Sequence, residues 1–144
     1  MTTIRAARAC DAAALAELCG ELGYPASRQQ VVARLATIEA TDTASVFVAE
    51  DAQGCVSGWL HVAQTAHLIN DADAEILGLV VAAAARGAGV GTALLRAASD
   101  WARTRGLAQL RVRSRLERER AHRFYERAGF ARVKTQAVFS RALA

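Results

Sequence analysis

What the chain lacks narrows the field first. No apolar run approaches the ~18 residues of a membrane-spanning helix, so no membrane segment is expected. The N-terminus has no signal-peptide layout, and a cytoplasmic setting is the expectation. Cysteine is scarce: Cys10, Cys19 and Cys55 form no metal-type pair and cannot all be bridged, so reduced structural thiols are expected. His61, His67, Asp71 and Asp73 match no standard ligand spacing, and no metal is expected. Lysine is almost missing. Lys134 is the single one among 18 basic residues, which leaves 17 arginines, a side chain suited to phosphate contacts. The net charge of +4 is modest. With Glu117 and Glu119 interrupting the Arg-rich stretch 111–123 and no aromatic platform beside it, a nucleic-acid binder is disfavoured.

What is present describes one packed domain, residues 1–144. Hydrophobic residues make up 53% of the 144. A chain of this size buries roughly 68% of what its unfolded form exposes. Residues 3–7 read as a short strand. Asp11 is placed to cap a helix carrying Ala14, Leu15, Leu18 and Leu22, and Gly23 closes it. Past the Tyr24-Pro25-Ala26 break, Ser27 caps a second helix with Val31, Val32, Leu35 and Ile38 on one face. Residues 46–49 and 56–62 form a hairpin about the turn Asp51-Ala52-Gln53-Gly54. A polar stretch, 64–73, leads into a central strand. Later come a long helix ended by Gly106, a strand at 107–113, a helix at 118–128 stopped by Gly129, and closing strands at 130–133 and 137–141. The order β-α-α-β-β-β-α-β-α-β-β places the chain in the α+β class, around a mixed sheet.

Residues 75–105 organise the rest. An apolar run, 76–81, reads as a strand; small residues follow, then Gly87-Ala88-Gly89-Val90-Gly91-Thr92; then Leu94, Leu95, Ala98, Trp101 and Ala102 recur at helical spacing. Glycines therefore sit where a helix begins. The first turn of a helix leaves N–H groups unpaired and carries about half a positive charge. Without Cβ atoms a ligand reaches that backbone, so the turn suits a phosphate. It is not a Walker loop, having no lysine, nor a Rossmann fingerprint, because Thr92 replaces the third glycine.

The pattern that fits is R-x-x-G-x-G, as Arg86, Gly89 and Gly91 after Leu79-Val80-Val81. It resembles the pyrophosphate-cradling motif of the acetyl-CoA-dependent GNAT N-acetyltransferases. Some thirty residues on, Ala121-His122-Arg123-Phe124-Tyr125-Glu126-Arg127-Ala128-Gly129-Phe130 is similar to that superfamily's A-x-x-F-Y-x-x-x-G-F signature. Within the superfamily the runs 74–87 and 118–125 look most like the branch containing aminoalkylphosphonate acetyltransferases. The histidine cluster of that branch is absent between Val62 and Ala74, so its substrate does not carry over. Arg118 stands where most members have asparagine.

The resemblance implies a GNAT-like, mostly antiparallel mixed sheet, splayed at its central parallel strand pair and flanked by about four helices. It implies coenzyme A in the splay, the pantetheine pairing with the backbone of Leu79 and Val81 beside Val80. The Leu79 N–H would polarise the thioester carbonyl. The pyrophosphate would rest on Gly87, Gly89, Gly91 and Thr92, with Arg86, Ala88, Val90, Phe124 and Arg118 completing the coenzyme site. The helix field contributes about 0.3–2 kcal/mol, and direct hydrogen bonds the greater part. Glu75 precedes Arg86 by eleven residues, as the base glutamate does in histone-acetylating relatives, and alternation puts it on the face of Leu77, Leu79 and Val81. Tyr125 matches the acid that protonates the departing thiolate.

Asp71, Asp73 and Glu75 alternate and either line one acidic mouth for a cationic amine or stand solvated. Arg111, Arg113, Arg115, Arg118 and Arg120 either reach the 3′-phosphate or face water. The function expected is acetyl transfer from acetyl-CoA to a primary amine of a small molecule. A non-catalytic acyl-CoA-binding module and a protein N-acetyltransferase are the alternatives. A homodimer is expected by family habit, with Val138 and Phe139 as contact candidates.

Overall fold

A computed structural model describes every residue from Met1 to Ala144. The chain divides into two compact units, Met1–Arg113 and Ser114–Ala144.

In the first unit, β-branched and aromatic residues at alternate positions build five strands: β1 (Thr3–Ala6), β2 (Ala44–Glu50), β3 (Val56–Thr65), β4 (Asp73–Val81) and β5 (Leu110–Val112). They lie in the order β1-β2-β3-β4-β5. All neighbours run antiparallel except β4 and β5, which are parallel. The α+β class and the mixed, mostly antiparallel sheet are as expected.

Helix α3 (Val90–Thr104) covers one face of the sheet. A Cβ added to Gly58 would lie 2.9 Å from the Val80 carbonyl and 3.3 Å from both Leu94 Cδ1 and Val90 Cγ1, so the helix lies tight against the strand there. Leu60, Val62, Leu94 and Ala98 are fully buried in this layer. On the opposite face α1 (Ala12–Leu22) and α2 (Arg28–Glu39) pack over Val46, Val48 and Trp59 through Leu15, Val31 and Leu35. Ser27 caps α2 as expected: its hydroxyl accepts the Gln30 N–H, and Gln30 returns the bond to the Ser27 N–H.

Asp11 departs from its expected role. It ends a short 3-10 turn (Ala9–Asp11) and makes no side-chain cap to α1. Its carboxylate instead accepts two bonds from the Arg5 guanidinium, at 2.8 and 2.9 Å, and one from the Arg8 N–H at 2.7 Å. Arg5 also donates to Glu50 at 2.6 Å, so one cation ties β1, the turn and β2 together. A charge-assisted bidentate bond outcompetes a local cap.

The second unit holds α4 (Glu119–Arg127), with Arg118 at its N-cap. The ring of Tyr125 sits between Phe124 and Phe130, with centroids 5.3 and 5.7 Å away. Gly129 takes a left-handed conformation, and the Phe130 N–H returns to the Tyr125 carbonyl at 2.9 Å. The closing strands expected at 130–133 and 137–141 do not form. Apolar content favours a strand there, but a strand needs a ladder partner, and these residues have none; Val138 and Phe139 are 86% and 94% exposed. The strand expected over 107–113 is likewise paired over Leu110–Val112 alone.

Asp11→Asn should lower unfolding free energy by about 2–3 kcal/mol, since it weakens a largely buried charge-assisted pair. The Arg5 hydrogen bonds hold the Asp11 carboxyl below its ordinary value. Its stabilisation is therefore present above the unfolded pKa near 4 and lost as pH falls through the folded value. Urea denaturation between pH 7 and 2.5 checks this: the wild type should lose stability with acid more steeply than the variant, and parallel curves would contradict the assignment.

Candidate active site

The glycine turn forms as the sequence implies. After a 3-10 turn at Ala83–Ala85, Gly87 and Gly89 take φ of +85° and +82°, which side-chain-bearing residues rarely adopt, and α3 starts at Val90. No protein atom lies within 4 Å of where their Cβ atoms would be. The first internal bond of the helix runs from the Ala93 N–H to the Gly89 carbonyl at 3.0 Å. The amides of Gly87, Ala88, Gly89, Val90, Gly91 and Thr92 find no acceptor in the protein. Six bare N–H groups at a positive helix end make a site for a multiply charged anion. The Arg86 side chain is exposed beside them and bonds to nothing.

The seam is equally open. β4 pairs with β3 along its whole length but with β5 over three positions, Ala74–Leu110, Glu75–Arg111 and Ile76–Val112. The Ala82 N–H donates to the Ser57 carbonyl at 2.8 Å, on the β3 side. Alternation then turns Val80 toward β3 and leaves the peptide groups of Leu79 and Val81 facing the seam without a strand partner. Val80 and Val90 hold main-chain positions in this site, for both side chains are buried.

Glu75 does not share the face of Leu79 and Val81. The register slips between His61 and Val62, where Gly78 opposes His61 but Ile76 opposes Val62. This β-bulge makes Leu77 an extra residue and inverts the side-chain phase. Leu79 opposes Leu60 and Val81 opposes Gly58, on the α3 face. Glu75 opposes Ala63, on the face of His61, Trp59 and the first two helices.

On that face the carboxylates are partnered. Asp73 is buried, accepts from His67 Nε2 at 2.9 Å, and lies 3.5 Å from Arg111 Nη2. Glu75 Oε1 lies 3.5 Å from Arg113 Nη2. Asp71 is exposed and apart from these pairs. Arg113 thus stands beside the candidate base and Arg111 beside Asp73, on one face of the sheet. No spacing in the sequence shows this, since it depends on the parallel register.

In the second unit Phe124 and Tyr125 are half-buried and Arg118 is exposed. Burial raises the Tyr125 phenol above its ordinary value, and the Arg118 charge opposes this. A phenol with a raised pKa keeps its proton and can donate it. His122 is structural: its Nε2 bonds the Arg115 carbonyl at 2.8 Å and its Nδ1 meets Arg132 Nη2 at 3.1 Å. A separate open groove of about 480 Å³, lined by Ile4, Phe47, Trp101 and Arg105, lies at the far end of α3 from the glycine turn.

Residues 12–130 match the model of the acetyltransferase (GNAT) family. An aminoglycoside N(6′)-acetyltransferase type 1 of Stenotrophomonas maltophilia is 31% identical over 95% of this chain and 91% of its own length. Among solved structures, an aminoglycoside 6′-N-acetyltransferase of Acinetobacter haemolyticus superposes with a TM-score of 0.86, covering 99% of both chains at 20% identity. That of Acinetobacter baumannii gives 0.87 over the full length of both at 15% identity. These two likenesses bear on the fold. The aminoalkylphosphonate branch is not singled out by these matches.

His61 is half-buried, makes no hydrogen bond within the protein and opposes Gly78 at the bulge. Burial pushes its imidazole below the ordinary value. The neutral ring is thus favoured in the folded state, and its contribution to stability holds above about pH 6.5 and is lost as pH falls through the folded value. Ring C–H resonances should titrate with a midpoint below about 6.5 in NMR spectra, and a midpoint above it would contradict the burial argument.

Proposed function

Because this chain belongs to the acetyltransferase (GNAT) family, we propose that it moves the acetyl group of acetyl-CoA to a primary amine of a small molecule in a ternary complex. One observation carries this reading: six unacquitted amides at residues 87–92 adjoin a strand whose outer peptide groups at Leu79 and Val81 lack a partner. The residues fit a diphosphate joined to an extended amide-bearing arm, which is the chemistry of coenzyme A. When bound, acetyl-CoA supplies the acetyl group as an activated thioester.

The chain's own groups then divide the work. The amides of Gly87, Gly89, Gly91 and Thr92, with Arg86, hold the diphosphate. Leu79 and Val81 pair with the arm as with an added strand. The Leu79 N–H donates to the carbonyl oxygen as it gains charge. Glu75 takes the proton from the acceptor ammonium, which exposes the nitrogen lone pair for attack. Tyr125 gives its proton to the sulfur that leaves. The bulge supports a division of faces: Glu75 reaches the acceptor from the side opposite α3, while the diphosphate is held at the α3 end.

Residues 1–144 are read as one acetyltransferase domain, since the family match runs through both units. The Stenotrophomonas relative is by name an aminoglycoside acetyltransferase; in this chain the side chains around Glu75 select among amines. A cytoplasmic setting and a homodimer using the exposed Val138 and Phe139 belong to the same proposal.

Tyr125→Phe should preserve coenzyme A binding by calorimetry and lower kcat by roughly 10²–10⁴, and an unchanged kcat would remove Tyr125 from the mechanism. Gly89→Val should weaken coenzyme A by about tenfold or more, because a branched side chain resists φ near +82° and shields the amides. Coenzyme A binding without turnover over a broad amine panel would favour a non-catalytic acyl-CoA-binding module.

A further inference from the structure

The face that carries Glu75 is electrically balanced. Asp73 and Glu75 supply two negative charges, and Arg111 and Arg113 supply two positive ones. Both ion pairs are 3.5 Å long, which gives Coulomb attraction without a good hydrogen bond. Neither guanidinium donates a hydrogen bond anywhere in the protein. Each therefore presents five unused N–H donors in a planar fork, the geometry that matches a carboxylate or phosphate group. The Arg113 side chain is 65% exposed, while its partner Glu75 is 17% exposed. The arginine is thus the accessible member of the pair.

A polycationic acceptor meets two difficulties here. The local charge offers it no net attraction, and its ammonium could reach Glu75 only by leaving Arg113 unpaired next to more positive charge. A like-charge contact of this kind is costly. An acceptor with an ammonium at one end and an anion at the other removes both difficulties. Its anion draws Arg113 aside, its ammonium takes the vacated place at Glu75, and two ion pairs replace one.

Resting on the acetyltransferase reading above, we propose that the acceptor is a primary amine that also carries an anionic group, held by Arg113 with Arg111 beside it. The shared chemistry is a carboxylate or a phosphate-type anion a few bonds from the amine. Arg113 in this scheme is a specificity-determining residue; it selects the substrate and uncovers the base.

The test is a thiol-release assay with acetyl-CoA and matched amines: n-propylamine, β-alanine, 2-aminoethylphosphonate and kanamycin. The anionic amines should exceed propylamine and kanamycin in kcat/KM by roughly 10- to 100-fold, as expected for a charge-assisted forked contact. The comparison of β-alanine with 2-aminoethylphosphonate identifies the anion. Arg113→Gln should collapse the anionic-to-neutral ratio chiefly through KM, and Arg111→Gln should reduce it. Arg103→Gln, which removes the same charge from the exposed last turn of α3, should leave the ratio unchanged. Preference for propylamine or kanamycin, or a ratio unaffected by Arg113→Gln, would overturn the proposal. If no amine turns over, saturation-transfer NMR of the same amines with coenzyme A present separates the two ideas. Binding that needs the anion and Arg113 upholds the anion site while acetyl transfer fails; no such binding overturns the site as well.

Discussion

A peptide group in a sheet needs a partner on the side it faces, and β4 is denied one over half its length. β3 satisfies it throughout on one side; β5 satisfies the other only from Ala74 to Ile76. An edge of this kind normally lies at the margin of a sheet, where it invites another strand. Here it opens beside a glycine turn whose amides are also unpaired. Buried and unmatched, such groups would cost about 1–3 kcal/mol each. Their persistence is tolerable because Leu79 and Val81 are only half-buried and the turn is exposed to water. The same exposure makes them available to a ligand that is itself extended at one end and anionic at the other. Fold and binding surface therefore follow from one deficiency in strand pairing.

The bulge opposite His61 and Val62 is the second consequence of that strand. A strand of strict period two would aim the side chains of residues 75, 79 and 81 the same way, toward α3. One extra residue at Leu77 lets the outward main-chain groups of Leu79 and Val81 face the seam while Glu75 turns to the helix-pair face. The two halves of β4 thus serve different purposes. Beyond the bulge the backbone is left unpaired toward the seam and the side chains pack; before it the side chains of Asp73 and Glu75 meet His67, Arg111 and Arg113.

This divides what could be read from residues alone. Gly87 and Gly89 were legible because positive φ demands a particular residue, and Ser27 was legible because its capping box is local. The strand β4 was legible from its apolar run. The face of Glu75 was not, because a bulge is fixed by the register of a partner strand and by no residue type at Leu77. Asp11 was not legible either: its carboxylate is taken by the Arg5 guanidinium, which strand pairing holds in place between Asp11 and Glu50. The closing strands failed at the level of pairing. Val138 and Phe139 have strand character, and a ladder is a property of two segments.

The comparisons and the side chains bear on different levels of the same question. Structures at 15–20% identity share the fold, while the turn and the seam of this chain are made of main chain. A scaffold whose binding groups are peptide N–H donors tolerates wide sequence change, since any residue supplies them wherever glycine is not required. Choice among amines is a side-chain matter and sits on β4 and β5. Arg111 and Arg113, paired with Asp73 and Glu75, lie on side chains apart from the bare amides of residues 87–92, so the proposed choice of acceptor is separable from the proposed hold on the coenzyme. Family membership therefore bears on the reaction, and the proposed acceptor rests on the charge arrangement around Glu75.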